Sequence, residues 1–118
     1  MRWQKLDQEN CSLARALAVI GDRWTLLVLR EAFLRVRRFD DFQSRLGIAR
    51  RVLAERLAHL VENGVLAKVA YQEAPQRFEY RLTKRGLELY PVLIGLVHWG
   101  DQHFAGNKGP PLLHRHLS

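Results

Sequence analysis

A single cysteine, Cys11, stands among the 118 residues, so no disulfide can form within the chain, and this usage fits a reducing compartment. Long apolar runs are missing too: none approaches the roughly 18 residues that a membrane span requires. The opening MRWQKLDQENC lacks the apolar core and small-residue cleavage site of a secretory signal. Together these absences predict a cytoplasmic protein without membrane contact. Chemistry-bearing motifs are equally scarce. There is no glycine-rich phosphate loop, no zinc-protease pattern and no Gly-x-Ser-x-Gly elbow, and nothing brings Cys11 beside a histidine as a nucleophile pair. His114 and His116, with His103 and Asp101 upstream, make only a weak metal pattern without a second cysteine. The expectation is therefore no enzyme, no metal site and no cofactor.

What is present is an ordinary apolar fraction of 47%, enough for one domain with a core that needs no metal or disulfide staple. The net charge is +7, and it is unevenly placed. Residues 1–34 carry five basic and four acidic side chains, and residues 86–118 carry two of each. Residues 35–85 carry twelve basic and six acidic side chains, so nearly all of the excess sits in one stretch. Charge concentrated in one unit points to a polyanionic partner.

No repeat or low-complexity tract interrupts the chain, and no linker precedes residue 106. Residues 1–105 are read as one domain and 106–118, with two glycines and two prolines, as an irregular tail. CSLARALAVIG has the helical apolar period and a stop at Gly21. Asp22 can cap a second helix, RWTLLVLREAFL, which is apolar nearly all round and is expected to be the central buried one. RVRRF reads as a short strand or a bend. DDFQSRLGI is a short helix with Phe42 and Leu46 inward, ended by Gly47. From about Ile48 a further helix buries Leu53, Leu57, Leu60 and Val61 and stops at Gly64. Two short stretches, VLAKVAY and RFEYRL, then read as a hairpin with Pro75 at its tip, Phe78, Tyr80 and Leu82 forming its half-buried face. Thr83 can cap one long last helix through residue 104, kinked at Pro91. In it Leu87, Leu89, Tyr90, Leu93, Ile94, Leu96, Val97 and Trp99 crowd more apolar surface than one domain can cover, which predicts a homodimer. Trp3, Trp24 and Trp99 are read as core or interface residues.

The resulting fold class is mainly α with a small β-hairpin wing: a winged helix-turn-helix. A short helix, a tight turn and a second helix form the motif whose second helix enters the major groove. That groove, about 12 Å wide, accepts one α-helix. The leucine stripe would hold the helix against the domain and offer the opposite face, with Ala49, Arg50, Arg51, Ala54 and Glu55 nearest the base edges. Arginine pairs bidentately with guanine and also binds phosphate. Arg38 is a candidate phosphate contact, and Lys68 and Arg77 are candidate wing contacts. Arg56 has two readings, a DNA contact or a partner of Glu55, Glu62 or an acid elsewhere in the fold. His59, toward the helix end, is read as a surface residue.

GDRWTLLVLREAFLRVRRFDDFQSRLGIARRVLAERLAHLVENGVL, followed by APQRFEYRLTKRG and HWG, resembles the HxlR-type transcriptional regulators, winged helix-turn-helix proteins related to the MarR group. The resemblance runs from Cys11 to about Asp101. Its most specific pieces are Gly21 to Arg30, the pair Arg38-Phe39, Leu53 with Leu57, and the Glu79-Tyr80-x-Leu-Thr ending of the wing. It implies a bacterial or archaeal homodimer, joined by its first and last helices, that binds double-stranded DNA on an operator with inverted half-sites. Two small hydroxyl residues common in the family's reading helix are here Ala49 and Ala54, and the usual proline after the N-terminal cysteine is Ser12. Some members carry a cysteine at the position of Cys11 that senses quinones, aldehydes or oxidants, which makes Cys11 a candidate redox sensor. The alternative is a small buried apolar residue. No inducer can be named. A different function class, a winged-helix module for RNA or for protein–protein contact, is opposed by the basic helix and wing and by a scarcity of exposed rings for stacking bases.

Overall fold

A computed structural model describes residues 11–104. The elements run α1 (Ser12–Ile20), α2 (Arg23–Phe33), α3 (Phe39–Leu46), α4 (Arg50–Glu62), β1 (Leu66–Glu73), β2 (Gln76–Leu82), α5 (Lys84–Leu87) and α6 (Tyr90–Phe104). The strands form one antiparallel hairpin. The tail, Trp3 and the pair His114 and His116 lie outside the described residues.

Local chemistry sets the boundaries. The Asp22 carboxylate accepts from the amides of Trp24 (2.6 Å) and Thr25 (3.4 Å), satisfying donors that the first turn of α2 leaves free. At the far end of α2, Val36 N–H reaches Glu31 O and Arg35 N–H reaches Ala32 O, with Arg35 at φ 71°. This paired closure usually takes glycine. It turns RVRRF into a bend, and Arg37 O then accepts from Tyr80 N–H at 2.6 Å. Gly47, at φ 63°, closes α3 and lets the chain reverse into α4. Gly64, at φ 74°, closes α4 in the same way as Arg35 closes α2.

The core gathers Val28 and Leu29 of α2, Phe42 of α3, Leu53, Leu57 and Leu60 of α4, and Leu66 of β1, all fully buried. Each such side chain stabilises the docking of its element by about 1.5–3 kcal/mol. The leucine stripe of α4 is thus anchored as its spacing predicts, with Ile48 buried in the turn and the helix itself starting at Arg50.

Three expectations are corrected. The last helix is two: Thr83 caps α5 by accepting from Gly86 N–H at 3.0 Å, the chain turns at Glu88 and Leu89, and Pro91 follows Tyr90 in the first turn of α6. Proline has no amide to give an incoming turn but suits a helix start, so a break replaces the predicted kink. Second, α2 is buried on one side only. Leu26 and Leu27 stand half-buried in an open apolar cleft of about 580 Å³ shared with Leu93, Leu96 and Val97 of α6. Third, the apolar face of β2 does not stay against the core: Leu82 and Tyr80 pack on it, but Phe78 is 37% exposed.

Candidate nucleic-acid interface

Twelve basic side chains in one stretch look alike in sequence, and the fold sorts them. Arg45 and Arg30 both pair with Glu31, which is only 2% exposed, tying α3 to α2. Arg56 turns inward: its side chain is 23% exposed and its Nε lies 2.6 Å from Asp22 Oδ2. Of its two readings, the acidic partner describes the contact. The acid elsewhere in the fold is Asp22, at the α2 cap directly beside α4, and Glu55 also stands near, its Oε2 3.8 Å from Arg56 Nη1. His59 is likewise not a free surface residue. Its Nε2 stands 3.0 Å from Val19 O at the end of α1. Arg81 pairs with Glu79, and Arg85 donates to Asn63 O.

Four of the remaining cations gather on one side. Arg38, at the cap position of α3, Arg50, at the first turn of α4, and Lys68 and Arg77 of the two strands all line a single cleft of about 480 Å³. A turn, a helix start and a hairpin, distant in sequence, converge there. Asp40 and Asp41 share its rim, with Asp40 Oδ1 3.7 Å from Arg50 Nη1. On the exposed face of α4 beside the cleft stand Ala49, Arg51, Ala54 and Glu55. Arg51 is 90% exposed, with Glu55 one turn on at 3.4 Å. Eight of the nine candidate DNA residues therefore share one surface, and Arg56 is the exception.

Rings are not scarce on this surface. Phe39, Tyr71, Phe78 and Tyr80 line the same cleft as the cations. The Arg38 guanidinium lies 4.4 Å from the Tyr71 ring centroid and that of Arg50 lies 4.6 Å from Phe39, while Lys68 Nζ is 4.6 Å from Phe78. Cations held over rings lose less freedom when they meet a ligand than unsupported side chains do. A period-2 pattern assigns Phe78 and Tyr80 to the core, which is why sequence reasoning missed them here. The available signal was the interleaving of rings and cations in KVAYQEAPQRFEY.

Cys11 precedes α1 at its cap position, its side chain makes no cap hydrogen bond, and the free thiol is exposed. Within one chain, therefore, the sulfur is not buried in the core. Among the described residues no group of three or more His, Cys, Asp or Glu could hold a metal, and no helix is long and apolar enough to cross a membrane.

Known proteins share this fold. The crystal structure of PA1607, a candidate transcription factor, matches with a TM-score of 0.82 at 42% identity, covering 90% of this chain and 74% of that one. The transcriptional regulator YodB from B. subtilis, in its reduced form, matches with a TM-score of 0.67 at 27% identity, covering 86% of this chain and 100% of its own. An uncharacterized HTH-type transcriptional regulator from Mycobacterium tuberculosis is 47% identical over 108 residues, 92% of this chain and 68% of the relative. The HxlR-like helix-turn-helix family matches residues 19–108. With the winged-helix fold, its cationic cleft and these likenesses together, the chain belongs to the HxlR-like helix-turn-helix family of transcriptional regulators.

Proposed function

We propose that the protein acts in the cytoplasm as a homodimer that binds double-stranded DNA on an operator with inverted half-sites, and that α4 reads the major groove while the hairpin contacts the backbone beside it. The observation that carries this reading is the convergence of Arg38, Arg50, Lys68 and Arg77 around one cleft beside the exposed face of α4. Arg51 supplies a fully presented guanidinium for a base edge, and the four cleft cations supply phosphate contacts. Dimerisation is supported by apolar side chains left in the open: Leu13 and Leu17 on α1, and Val92, Leu96, Trp99 and Phe104 on α6. Two-fold symmetry would set two copies of α4 one DNA turn apart, about 34 Å.

A redox or electrophile response through Cys11 belongs to the same reading. The exposed thiol is open to reagents, and α1 connects to the reading helix by a short contact at its far end, His59 on Val19 O, with Arg56 on Asp22 at the α2 cap just beyond. A change of α1 geometry at the dimer interface therefore has a route to α4.

One observation favours the alternative of RNA or single strands, namely the rings in the cleft, since unpaired bases stack on such rings. Gel shifts with duplex DNA, duplex RNA and single strands decide between them, and sequencing of genomic fragments bound by the purified protein yields half-site and spacing together. Preference for duplex DNA with paired half-sites supports the reading; equal or tighter binding to single strands overturns it. Light scattering that returns a mass near the 13.8 kDa chain contradicts the dimer.

A further inference from the structure

Resting on the DNA-binding reading, we propose that Tyr71 is a positioning residue: a bulge in β1 swings its ring beneath the Arg38 guanidinium, and so locks the wing to the entrance of the helix-turn-helix with Arg38 aimed into the cleft.

Strand periodicity predicts otherwise. Side chains alternate faces along a strand, so Tyr71 would share a face with Ala67 and Val69. That is the face opposite Lys68 and Ala70, whose partners across the hairpin are Tyr80 and Phe78. Yet Tyr71 lines the same cleft as Lys68, Phe78 and Tyr80. The register explains it. Ala70 pairs with Phe78 and Gln72 pairs with Arg77, which leaves Tyr71 as one extra residue with no partner in β2. A bulge of this kind kinks a strand and re-aims a side chain. Here it brings the ring to 4.4 Å from the Arg38 guanidinium carbon.

Two consequences follow for the cleft. Arg38 is exposed and belongs to the turn before α3, so without a support its side chain would sample many rotamers. The ring limits those rotamers before DNA arrives. The contact also joins two segments that otherwise meet through the backbone bond from Tyr80 N–H to Arg37 O. Ring contact and backbone bond together hold Lys68 and Arg77 of the wing at a fixed distance from Arg38 and Arg50, so that the cations form one cleft and not two patches.

The test is duplex DNA binding, measured across a salt series, by the full chain and its variants Tyr71→Leu, Tyr71→Phe, Arg38→Ala and the double variant Tyr71→Leu with Arg38→Ala. Wild-type binding with a steep salt slope tests the DNA reading itself; no binding to any duplex overturns that reading before Tyr71 is considered. Given wild-type binding, Tyr71→Leu should weaken affinity by about 3- to 10-fold and lower the log–log salt slope by about 1, as one phosphate contact loosens. Tyr71→Phe, which keeps the ring, should bind as wild type does. Adding Tyr71→Leu to Arg38→Ala should change affinity less than about 2-fold, because the ring acts through that arginine. Should Tyr71→Leu melt early, Arg38→Lys gives the same information without touching the wing: it keeps the charge, loses the flat stack, and should show a comparable loss. Wild-type affinity in both Tyr71→Leu and Arg38→Lys, a failure of Tyr71→Phe to rescue, or additive losses in the double variant would each overturn the proposal.

Discussion

The side of α4 that faces α1 and α2 and the side that faces the cleft both carry arginine, and they use it in opposite ways. Arg56 of α4 is tied to Asp22, as Arg45 of the neighbouring α3 is tied to Glu31, acids held in or near the core, and the guanidinium serves to fix one element against another. Arg50 and Arg51 keep most of their surface in water, and their acidic neighbours, Asp40 and Glu55, lie at 3.7 and 3.4 Å on the surface. Exposed pairs of that kind contribute little, about 0–1 kcal/mol, so they orient a cation without committing it. The lesson is that net charge overstates a binding surface. Several of the twelve basic residues between 35 and 85 are tied to partners within the fold. Four of the exposed ones, Arg38, Arg50, Lys68 and Arg77, line the cleft where α3, α4 and the wing converge, whereas Arg35, Arg37 and Lys84 are exposed without lining it.

The largest test of this division is salt. With about six to eight phosphate contacts per dimer, the log–log slope of affinity against salt should be about −5 to −7, a loss of roughly 10³- to 10⁴-fold between 50 and 200 mM. The measurement is a titration by fluorescence anisotropy at several salt concentrations. A slope near zero would remove the cleft side of the comparison.

Next in size is the buried side. Glu31→Ala should lower stability by about 2–4 kcal/mol, read from urea unfolding, since it leaves Arg30 and Arg45 without the carboxylate that joins α2 to α3. The loss stays below that of a fully enclosed pair because both arginines reach solvent. A change under about 0.5 kcal/mol would show the buried pair to be no tie at all.

Arg51→Ala should do the reverse, with stability unchanged within about 0.5 kcal/mol and specific binding weaker by roughly 1–3 kcal/mol. Competition between operator and random DNA sharpens the result. Equal losses on both assign Arg51 to phosphate, whereas a loss confined to the operator assigns it to a base.

Legibility in the sequence followed the same division. The leucine stripe of α4, the Asp22 cap, the stop at Gly47 and the two strands follow from spacing and composition, since periodicity reports burial directly. The exposed face formed by Ala49, Arg50, Arg51, Ala54 and Glu55 was also legible, because a helix-turn-helix fixes which face of α4 its leucines leave free. What spacing could not show were contacts between distant segments. Arg56 finds Asp22 thirty-four residues away, and nothing local distinguishes it from Arg50. Tyr71 escaped for a different reason: one extra residue in β1 reverses the face it belongs to, and a bulge leaves no mark on period-2 counting until the register is seen. The break before α6 was half legible. Pro91 was visible, but whether it kinks a helix or begins one depends on Thr83 having already capped α5.

The smallest expected effect lies at Cys11, on the face that neither grips the core nor lines the cleft. Cys11 occupies the cap position of α1, its backbone is extended there, and its thiol caps no amide. Serine is among the preferred residues at such a position because its oxygen accepts from a free amide of the first turn. Cys11→Ser should therefore raise stability slightly, by about 0.5 kcal/mol, and leave DNA affinity unchanged. Against this quiet background the chemistry becomes readable. With one cysteine per chain, oxidation can yield only a link between protomers, a mixed disulfide with a small thiol, or a sulfur oxyacid. A gel shift with and without diamide, on wild type and Cys11→Ser, then separates the roles. Weakened operator binding in the wild type alone makes Cys11 a sensor that acts through α1. Equal binding by a wild-type sample whose modification mass spectrometry has confirmed makes this face of α1 inert to redox chemistry. Destabilisation by serine would mean instead that the sulfur packs against a second copy of the chain, where a hydroxyl is poorly received.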